Sequence, residues 1–300
     1  DMRVLVTGAA GFIGYHLCER LLARGDTVIG VDNLDTSGDV TLKATRLSRL
    51  RAATNFGFHR MDIRDAKACR ELFEGARPER VVHLAARVGV RAVEAEAPDY
   101  AETNVTGFLQ VLELCRRSRV EHLVFASSSS VYGAGSALPF SEQTPADRPL
   151  SLYAATKRSN ELMAHAYSHQ YAMPITALRF FSVYGPWGRP DMAPMLFLRA
   201  LIEGRSLVLH GEGRMQRDFT YIDDVVEALV RVLDAVPAGP PLYRVLNVGR
   251  GEPVSMARLV DLLEERAAEA EQAFRRLEAT IADAEGSEAG LDDAQEEKIQ

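Results

Sequence analysis

A glycine-rich run, GAAGFIG at residues 8–14, constrains the fold of this chain more than any other feature of its sequence. It directly follows the apolar run Val4–Val6 and opens a helical pattern. Glycines in this context allow a tight turn, close approach of the backbone to a pyrophosphate and close helix–strand packing, while the helix N-terminus supplies amide donors. Asp32 ends the next predicted strand, 18 residues beyond the last glycine. A carboxylate there can bind a ribose 2′-hydroxyl and repels a 2′-phosphate, so the pattern predicts NAD rather than NADP.

Short β-branched runs alternate with helical patterns over the first two thirds of the chain. The alternation predicts an α/β fold, a doubly wound parallel sheet (Rossmann) with a smaller interleaved substrate domain. We expect the NAD-binding domain to cover 1–181 and about 218–238, the substrate domain to cover 182–217 and 239–263, and an acidic helical tail to cover 264–300. The predicted strands are Val4–Val6, Thr27–Val31, Gly57–Met61, Val81–Leu84, His122–Ala126, Ile175–Arg179, Leu207–Leu209 and Val245–Val248. The predicted helices are Phe12–Arg24, Ala66–Glu74, Tyr100–Ser118, Leu152–Tyr171, Pro194–Glu203 and Ile222–Leu233.

The charge and the cysteines narrow the function classes. The formal net charge of −7 argues against nucleic-acid binding, and residues 264–300 alone hold 12 acidic and four basic residues. No apolar run approaches the ~20 residues that span a bilayer. The cysteines, Cys18, Cys69 and Cys115, are odd in number and widely spaced, which favours buried thiols in a reducing compartment over a disulfide framework or a metal site. We therefore expect a cytoplasmic protein without metal, membrane or nucleic-acid partners.

Tyr153 and Lys157 stand four residues apart, so on a helix their side chains share one face. A free phenol has a pKa near 10 and is a poor base at neutral pH. A neighbouring ammonium and a positive nicotinamide ring would both favour the phenolate, and lowering its pKa by about three units requires roughly 4 kcal/mol. Taken alone, such a pair is usually only a helix-surface pair. Downstream of the glycine run it indicates a catalytic base.

A serine run, Ser127–Ser130, directly follows the predicted strand that ends at Ala126. The carboxyl end of a strand is where an open α/β sheet binds ligands, so these hydroxyls can relay a proton and hold a substrate oxygen near Tyr153. The alternative is a serine-rich loop selected for turn propensity.

Taken together, the glycine run, the Leu84-Ala85-Ala86 strand end, the serine run and the Tyr-x-x-x-Lys pair resemble the extended short-chain dehydrogenases that act on nucleotide sugars, over roughly residues 2–263. In that family NAD stays bound as a catalyst. The resemblance implies a catalytic hydroxyl at Ser128, a base at Tyr153 and a ribose-holding lysine at Lys157. It implies cofactor contacts from Gly8, Gly11, Phe12, Ile13, Gly14, Asp32, Asn33, Asp62, Ile63, Leu84, Ala85, Ala86, Asn104, Tyr153, Lys157 and Phe180.

Two features indicate the subfamily. Serines precede Val131-Tyr132-Gly133, where the 4,6-dehydratases and the UDP-xylose-forming decarboxylases usually carry an acid, so epimerisation is the simpler interpretation. The run RFFSVYGPWGRPDMA at 179–193 closely resembles the UDP-glucuronate 4-epimerases. That resemblance implies a homodimer, a UDP-sugar substrate, and Arg189 and Ser182 near the sugar carboxylate, which a guanidinium can bind in a bidentate pair. The implied substrate contacts are Val88, Arg91, Ser128, Ser129, Tyr153, Ser182, Arg189, Leu209 and Arg217.

Three alternatives remain open at this stage. A UDP-glucose or UDP-N-acetylhexosamine 4-epimerase would share every motif except the need for Arg189, which would then be a solvated loop arginine. A UDP-glucuronate decarboxylase would form a pentose and release CO₂. A non-catalytic NAD-binding sensor is the alternative from another class, although such proteins usually lose the tyrosine or the lysine.

Overall fold

The computed structural model describes residues 2–36, 39–89, 97–134, 136–269 and 272. The strands are β1 Arg3–Thr7, β2 Thr27–Asp32, β3 Phe56–Arg60, β4 Arg80–His83, β5 His122–Ser128, β6 Ile175–Phe180, β7 Ser182–Tyr184, β8 Gln216–Tyr221, β9 Tyr243–Val248 and β10 Pro253–Ser255. The α-helices are α1 Phe12–Arg24, α2 Val40–Leu50, α3 Ala66–Ala76, α4 Ala97–Ala101, α5 Phe108–Arg117, α6 Leu152–Tyr171, α7 Ala193–Ile202 and α8 Ile222–Asp234, and residues 256–269 are also helical.

The principal sheet has seven strands in the order β3-β2-β1-β4-β5-β6-β9, and its neighbouring strands pair in parallel. The strand order reverses between β1 and β4, and such a switch point opens a ligand-binding crevice at the carboxyl ends of the strands. This confirms the predicted doubly wound Rossmann fold. A smaller sheet has the order β10-β8-β7.

Both faces of the principal sheet are covered by apolar side chains. Along β1, Val4 and Val6 join one buried cluster with residues of α1 and α8, whereas Leu5 joins a second cluster with residues of α3, α5 and β5. Successive residues of a strand point to opposite faces, so a strand buried on both sides needs an unbroken apolar run. The near-continuous apolar composition of β1 and β5 follows from this requirement.

Contacts divide the chain into two compact units, a larger one of 1–190 with 218–253 and a smaller one of 191–217 with 254–300. The predicted boundaries differ, because they assigned 182–190 and 239–253 to the substrate domain. The structure places both segments in the larger unit, since β7 pairs with residues 219–221 of β8 and β9 is hydrogen-bonded to β6. Of the predicted acidic tail, residues 264–269 are helical, and the remainder apart from residue 272 lies outside the described residues.

Helices α1 and α6 have the predicted bounds, but several other elements differ. The predicted strand Leu207–Leu209 is wrong: these residues are irregular, and Val208 is 78% exposed instead of packing against a sheet. The predicted helix Tyr100–Ser118 contains a π-helical turn at Glu102–Gly107. Helix α2 and strand β7 were not predicted.

The three cysteines are free and buried, as expected from their apolar contexts. Burial raises the pKa of all three thiols, that of Cys69 to about 11. No helix in the described parts of the chain has the length and apolar character that crossing a bilayer requires.

Gly14 offers a test of the packing between α1 and the glycine-rich turn. A Cβ at this position would lie 2.1 Å from the carbonyl oxygen of Gly8, so backbone would have to move. We expect Gly14→Ala to lower the free energy of unfolding by about 1–3 kcal/mol, measured by urea denaturation without added NAD. Gly75→Ala is the matched control, because a Cβ there meets nothing within 4 Å. At this exposed position of helix α3 that change should stabilise the protein by about 0.5–1 kcal/mol. Equal stability of the two variants would contradict the close packing.

Candidate active site

The glycine-rich turn forms the floor of the crevice after β1. Gly8 has φ +73°, and a Cβ there would lie 2.9 Å from the amide nitrogen of Ala85, in the segment after β4. Gly11 caps α1, and Phe12, Ile13 and Gly14 form the first turn of that helix. The missing side chain at Gly8 therefore lets the turn pack against the segment after β4. The helix N-terminus directs free amide donors into the crevice.

Asp32 lies at the carboxyl end of β2, is 8% exposed, and accepts hydrogen bonds from the amides of Ala10 (3.1 Å) and Leu34 (2.9 Å). Burial raises its pKa despite these bonds. Asn33 donates from Nδ2 to Asp62 Oδ2 at 3.0 Å, which joins the ends of β2 and β3. Although burial acts in the opposite direction, hydrogen bonds from Arg64 and Asn33 lower the pKa of Asp62 to about 2. Four predicted cofactor contacts are thus held together at one edge of the sheet: Asp32, Asn33, Asp62 and the buried Ile63.

Asn104 fixes the segment that follows β4. It is 1% exposed in the π-helical turn, and π-turns are frequent at functional sites. Its Oδ1 accepts from the Arg87 amide at 2.8 Å, and its Nδ2 donates to the Arg87 carbonyl and to Thr156 Oγ1, both at 3.0 Å. Thr156 belongs to α6, so one amide side chain connects the strand end Leu84-Ala85-Ala86 to the helix that carries Tyr153 and Lys157.

Lys157 is buried on α6, with 2% exposure, and its Nζ donates to the carbonyl oxygen of Ala126 at 2.9 Å. Burial lowers its pKa to about 8. Nζ lies 5.9 Å from the centre of the Tyr153 ring, so the predicted pair does share one face of the helix. An ammonium with three donors and one carbonyl partner in the described structure can also bind ribose hydroxyls.

Tyr153 is hydrogen-bonded to Ser128, which ends β5. Burial raises the pKa of Tyr153 to about 12, while the hydrogen bond from Ser128 and the positive charge of Arg189 lower it. Ser128 Oγ is also hydrogen-bonded to the hydroxyl of Ser130, at 3.1 Å between the two oxygens, and Ser129 follows in a 3₁₀ turn. The structure therefore brings together the phenol, the hydroxyl and the guanidinium that the sequence predicted.

The remaining predicted site residues belong to two different compact units of the chain. Phe180 ends β6, Ser182 begins β7 and Val88 follows the β4 strand end, all in the larger unit with Arg189. Leu209 and Arg217 belong to the smaller unit, where Arg217 donates to the carbonyl of Gln216 at 2.9 Å. Arg91 lies outside the described residues. No group of His, Cys, Asp and Glu in the described structure has the arrangement of a metal site.

Sequence reasoning missed a buried carboxylate beneath this site. Glu161, 1% exposed and one helical turn beyond Lys157, accepts from Ser127 Oγ at 2.6 Å. It also accepts from Arg179 of β6, at 2.9 Å from Nε and 2.8 Å from Nη2. Burial opposes ionisation, but these hydrogen bonds outweigh it and lower the pKa of Glu161. The i, i+4 spacing from Lys157 was the available signal, because it places Glu161 on the same face of α6.

The groups around the crevice fit NAD: a glycine-rich turn at a helix N-terminus, a carboxylate at the end of β2 and a buried ammonium beside a phenol. Such a fold and site define an NAD-binding Rossmann protein with a Tyr–Lys pair. Residues 4–249 match the sequence profile of the NAD-dependent epimerase/dehydratase family. The chain belongs to this family.

Known proteins agree with this assignment. The chain is 44% identical over 278 residues to a probable UDP-glucuronate 4-epimerase of Rhizobium meliloti (strain 1021), a match covering 88% of this chain and 82% of that protein. It is 44% identical over 261 residues to a UDP-glucuronate 4-epimerase of Thermodesulfobacterium geofontis (strain OPF15), covering 87% and 79%. The crystal structure of UDP-glucuronic acid 4-epimerase from Bacillus cereus with UDP-glucuronic acid and NAD has a TM-score of 0.80 and 36% identity, covering 89% of this chain and 83% of that chain.

The charge of Arg189 should affect the pH dependence of turnover through Tyr153. Because a positive charge there lowers the pKa of the phenol, Arg189→Gln removes that effect and the pKa rises further. The acidic limb of the kcat–pH profile should then move to higher pH, measured at saturating nucleotide sugar. Arg189→Lys retains the charge and should keep the limb close to that of the unmodified protein. A limb that stays in place in Arg189→Gln would show that another group controls it.

Proposed function

We propose that this chain is an NAD-dependent UDP-glucuronate 4-epimerase that interconverts UDP-glucuronate and UDP-galacturonate. One observation carries the proposal: the same phenol, Tyr153, is hydrogen-bonded to Ser128 and within the electrostatic reach of Arg189. A group that can move a proton and a cation that suits a carboxylate therefore belong to one site. The activities of the relatives, which are UDP-glucuronate 4-epimerases, support this choice of substrate.

In this proposal, Tyr153 handles the proton of the sugar 4-hydroxyl. The phenolate oxygen takes that proton, with Ser128 bridging the two oxygens, and C4 becomes a carbonyl as its hydrogen leaves with the electron pair. NAD, when bound, supplies the acceptor for this hydride and returns it later. The 4-keto sugar turns about its diphosphate linkage, presents its other face, and receives the proton back from Tyr153. The hydride and the proton both return to the sugar, and the hydride returns to the opposite face of C4. The net reaction is therefore inversion at C4.

Lys157 has two tasks in this scheme. Its ammonium is held by Ala126 and can donate its remaining protons to ribose hydroxyls. Its positive charge close to the ring also favours a phenolate once a substrate and cofactor exclude water. Arg189 adds to this effect, because the high pKa of Tyr153 has to be lowered before the phenol can act as a base near neutral pH.

The orientation of the substrate carboxylate determines whether the 4-keto intermediate keeps its carboxyl group. A 4-keto uronic acid is a β-keto acid, so it loses CO₂ when the bond to the carboxyl carbon aligns with the carbonyl π system. We assign Arg189 and Ser182 to hold the carboxylate away from that alignment. A guanidinium offers two parallel donors to a carboxylate and fixes its plane, which a lysine cannot do.

Product analysis tests the proposed function. We expect the purified protein to convert UDP-glucuronate into UDP-galacturonate without loss of mass, resolved by chromatography with mass spectrometry. Tyr153→Phe should lower kcat by about 10²–10⁴-fold while NAD remains bound.

Other products would identify other functions. A UDP-pentose with CO₂ would indicate a decarboxylase, and faster turnover of UDP-glucose or a UDP-N-acetylhexosamine would indicate another 4-epimerase. Absence of turnover across these sugars would favour a sensor and refute the proposal.

We also propose a homodimer formed through α5 and α6. These helices pack side by side, and each leaves a leucine exposed, Leu109 at 40% and Leu162 at 57%. Apolar side chains exposed on adjacent helices are typical of a surface that a second copy covers.

The three buried, unpaired thiols are those of a protein in a reducing compartment, and we infer the cytoplasm from them.

Leu162→Glu tests the dimer. A carboxylate buried in an apolar interface without a partner is strongly unfavourable, so the variant should sediment as a monomer where the unmodified protein sediments as a dimer. Leu138→Glu is the control, because Leu138 is 76% exposed and lies outside both helices. A monomeric unmodified protein at micromolar concentration would exclude the proposed dimer.

A further inference from the structure

Arg46 connects two functional loops of the larger unit. It lies on α2 and is 3% exposed. Its Nη1 donates to the carbonyl oxygen of Ala10 at 3.0 Å, within the glycine-rich turn. Its Nη2 donates to the carbonyl oxygen of Trp187, two residues before Arg189. One guanidinium thus donates hydrogen bonds to the glycine-rich turn, which is predicted to bind NAD, and to the loop that contains Arg189, which is predicted to bind the sugar carboxylate.

The loop at 185–190 depends on contacts of this kind, because its conformation is locally unfavourable. Trp187 has φ +59°, a region that bulky residues rarely adopt. The Gly188 amide closes the turn by donating to the Gly185 carbonyl at 3.1 Å. His16 of α1 donates from Nε2 to the Pro186 carbonyl at 2.9 Å. Strained backbone persists where the surroundings over-determine it, and here α1 and α2 supply the bonds.

The partners of Arg46 are unusual for a buried charge. Among the described residues no carboxylate lies within ion-pair distance of its guanidinium, and its buried Nε has no hydrogen-bond partner. Burial lowers the pKa of Arg46 to about 10, so the group stays protonated at neutral pH. Buried charges are normally paired with an opposite charge, whereas this one is satisfied mainly by two carbonyl groups from different loops. Its position is explained by the two loops that it joins.

We propose that Arg46 is a positioning residue that favours epimerisation over decarboxylation: it holds the Arg189 loop in a fixed relation to the dinucleotide turn. This inference rests on the proposed function, because the orientation of the sugar carboxylate relative to C4 is what it would control. When the bridge is lost, the loop gains freedom and the carboxyl carbon can align with the 4-carbonyl. The C5–C6 bond then breaks, its electron pair passes into the enolate of the ketone, CO₂ leaves and C5 takes a proton from water.

The test is the partition between two products, which does not depend on how much of the preparation is active. We expect Arg46→Met to raise the ratio of CO₂ released to UDP-galacturonate formed at least five-fold, measured with carboxyl-labelled UDP-glucuronate. Arg189→Ala provides the reference for a lost carboxylate contact. Arg49→Met is the matched control, because Arg49 lies one turn further along α2 and contacts the Trp187 ring, at 5.4 Å, rather than its backbone. Its partition should equal that of the unmodified protein.

Two further measurements separate the outcomes. Arg46→Lys keeps the charge but has a single side-chain nitrogen, so its ratio of CO₂ to UDP-galacturonate should lie between those of the unmodified protein and Arg46→Met. If Arg46→Met does not fold, the ratio measured for Arg46→Lys tests the inference instead. NAD dissociation after gel filtration should be faster in Arg46→Met than in Arg49→Met, because the bridge also ends on the glycine-rich turn. Unchanged partition and unchanged NAD release would overturn the inference. An unmodified protein that forms no UDP-galacturonate would instead refute the proposed function, with NAD release still testing the bridge.

Discussion

The geometry of the site depends on the hydrogen bonds that the buried carboxylate of Glu161 accepts. This carboxylate lies on α6, the helix of Tyr153 and Lys157, and it bonds Ser127 of β5 and Arg179 of β6. Removing one partner of such a pair leaves an uncompensated buried charge and costs about 3–5 kcal/mol. Helix α6 therefore has one favourable register against the strand ends, and that register brings the phenol to Ser128.

A second set of constraints acts from the opposite side of the crevice. The glycine-rich turn, its neighbour α2 and the loop of Arg189 are joined by hydrogen bonds to backbone carbonyls. Backbone acceptors do not depend on side-chain identity, so this arrangement can hold a loop whose own sequence favours other conformations. Proton chemistry and carboxylate recognition are thus supported by different polar networks, one centred on Glu161 and one on Arg46.

The parts of the structure that could be predicted are those encoded by short-range patterns. The glycine spacing, the i, i+4 pair of Tyr153 and Lys157 and the apolar run of β1 each need only local sequence, and the fold class follows from them. Other features depend on partners far along the chain. Strand β7 has only three residues before a Gly- and Pro-rich run, and it forms because β8, more than 30 residues later, pairs with it. Leu207–Leu209 has strand-like composition, but the described structure contains no strand there, and Val208 is exposed. The raised pKa of Tyr153 likewise reflects burial, which spacing does not reveal.

The burial of the native thiols has a practical consequence. Thiolates are the reactive species, and apolar burial keeps these three sulfur atoms protonated and inaccessible to reagents. A maleimide dye would therefore label only a cysteine introduced at the surface, with the native sequence otherwise retained. Placed in the 185–190 loop, such a fluorophore would report changes in the surroundings of this loop when NAD or a substrate is added.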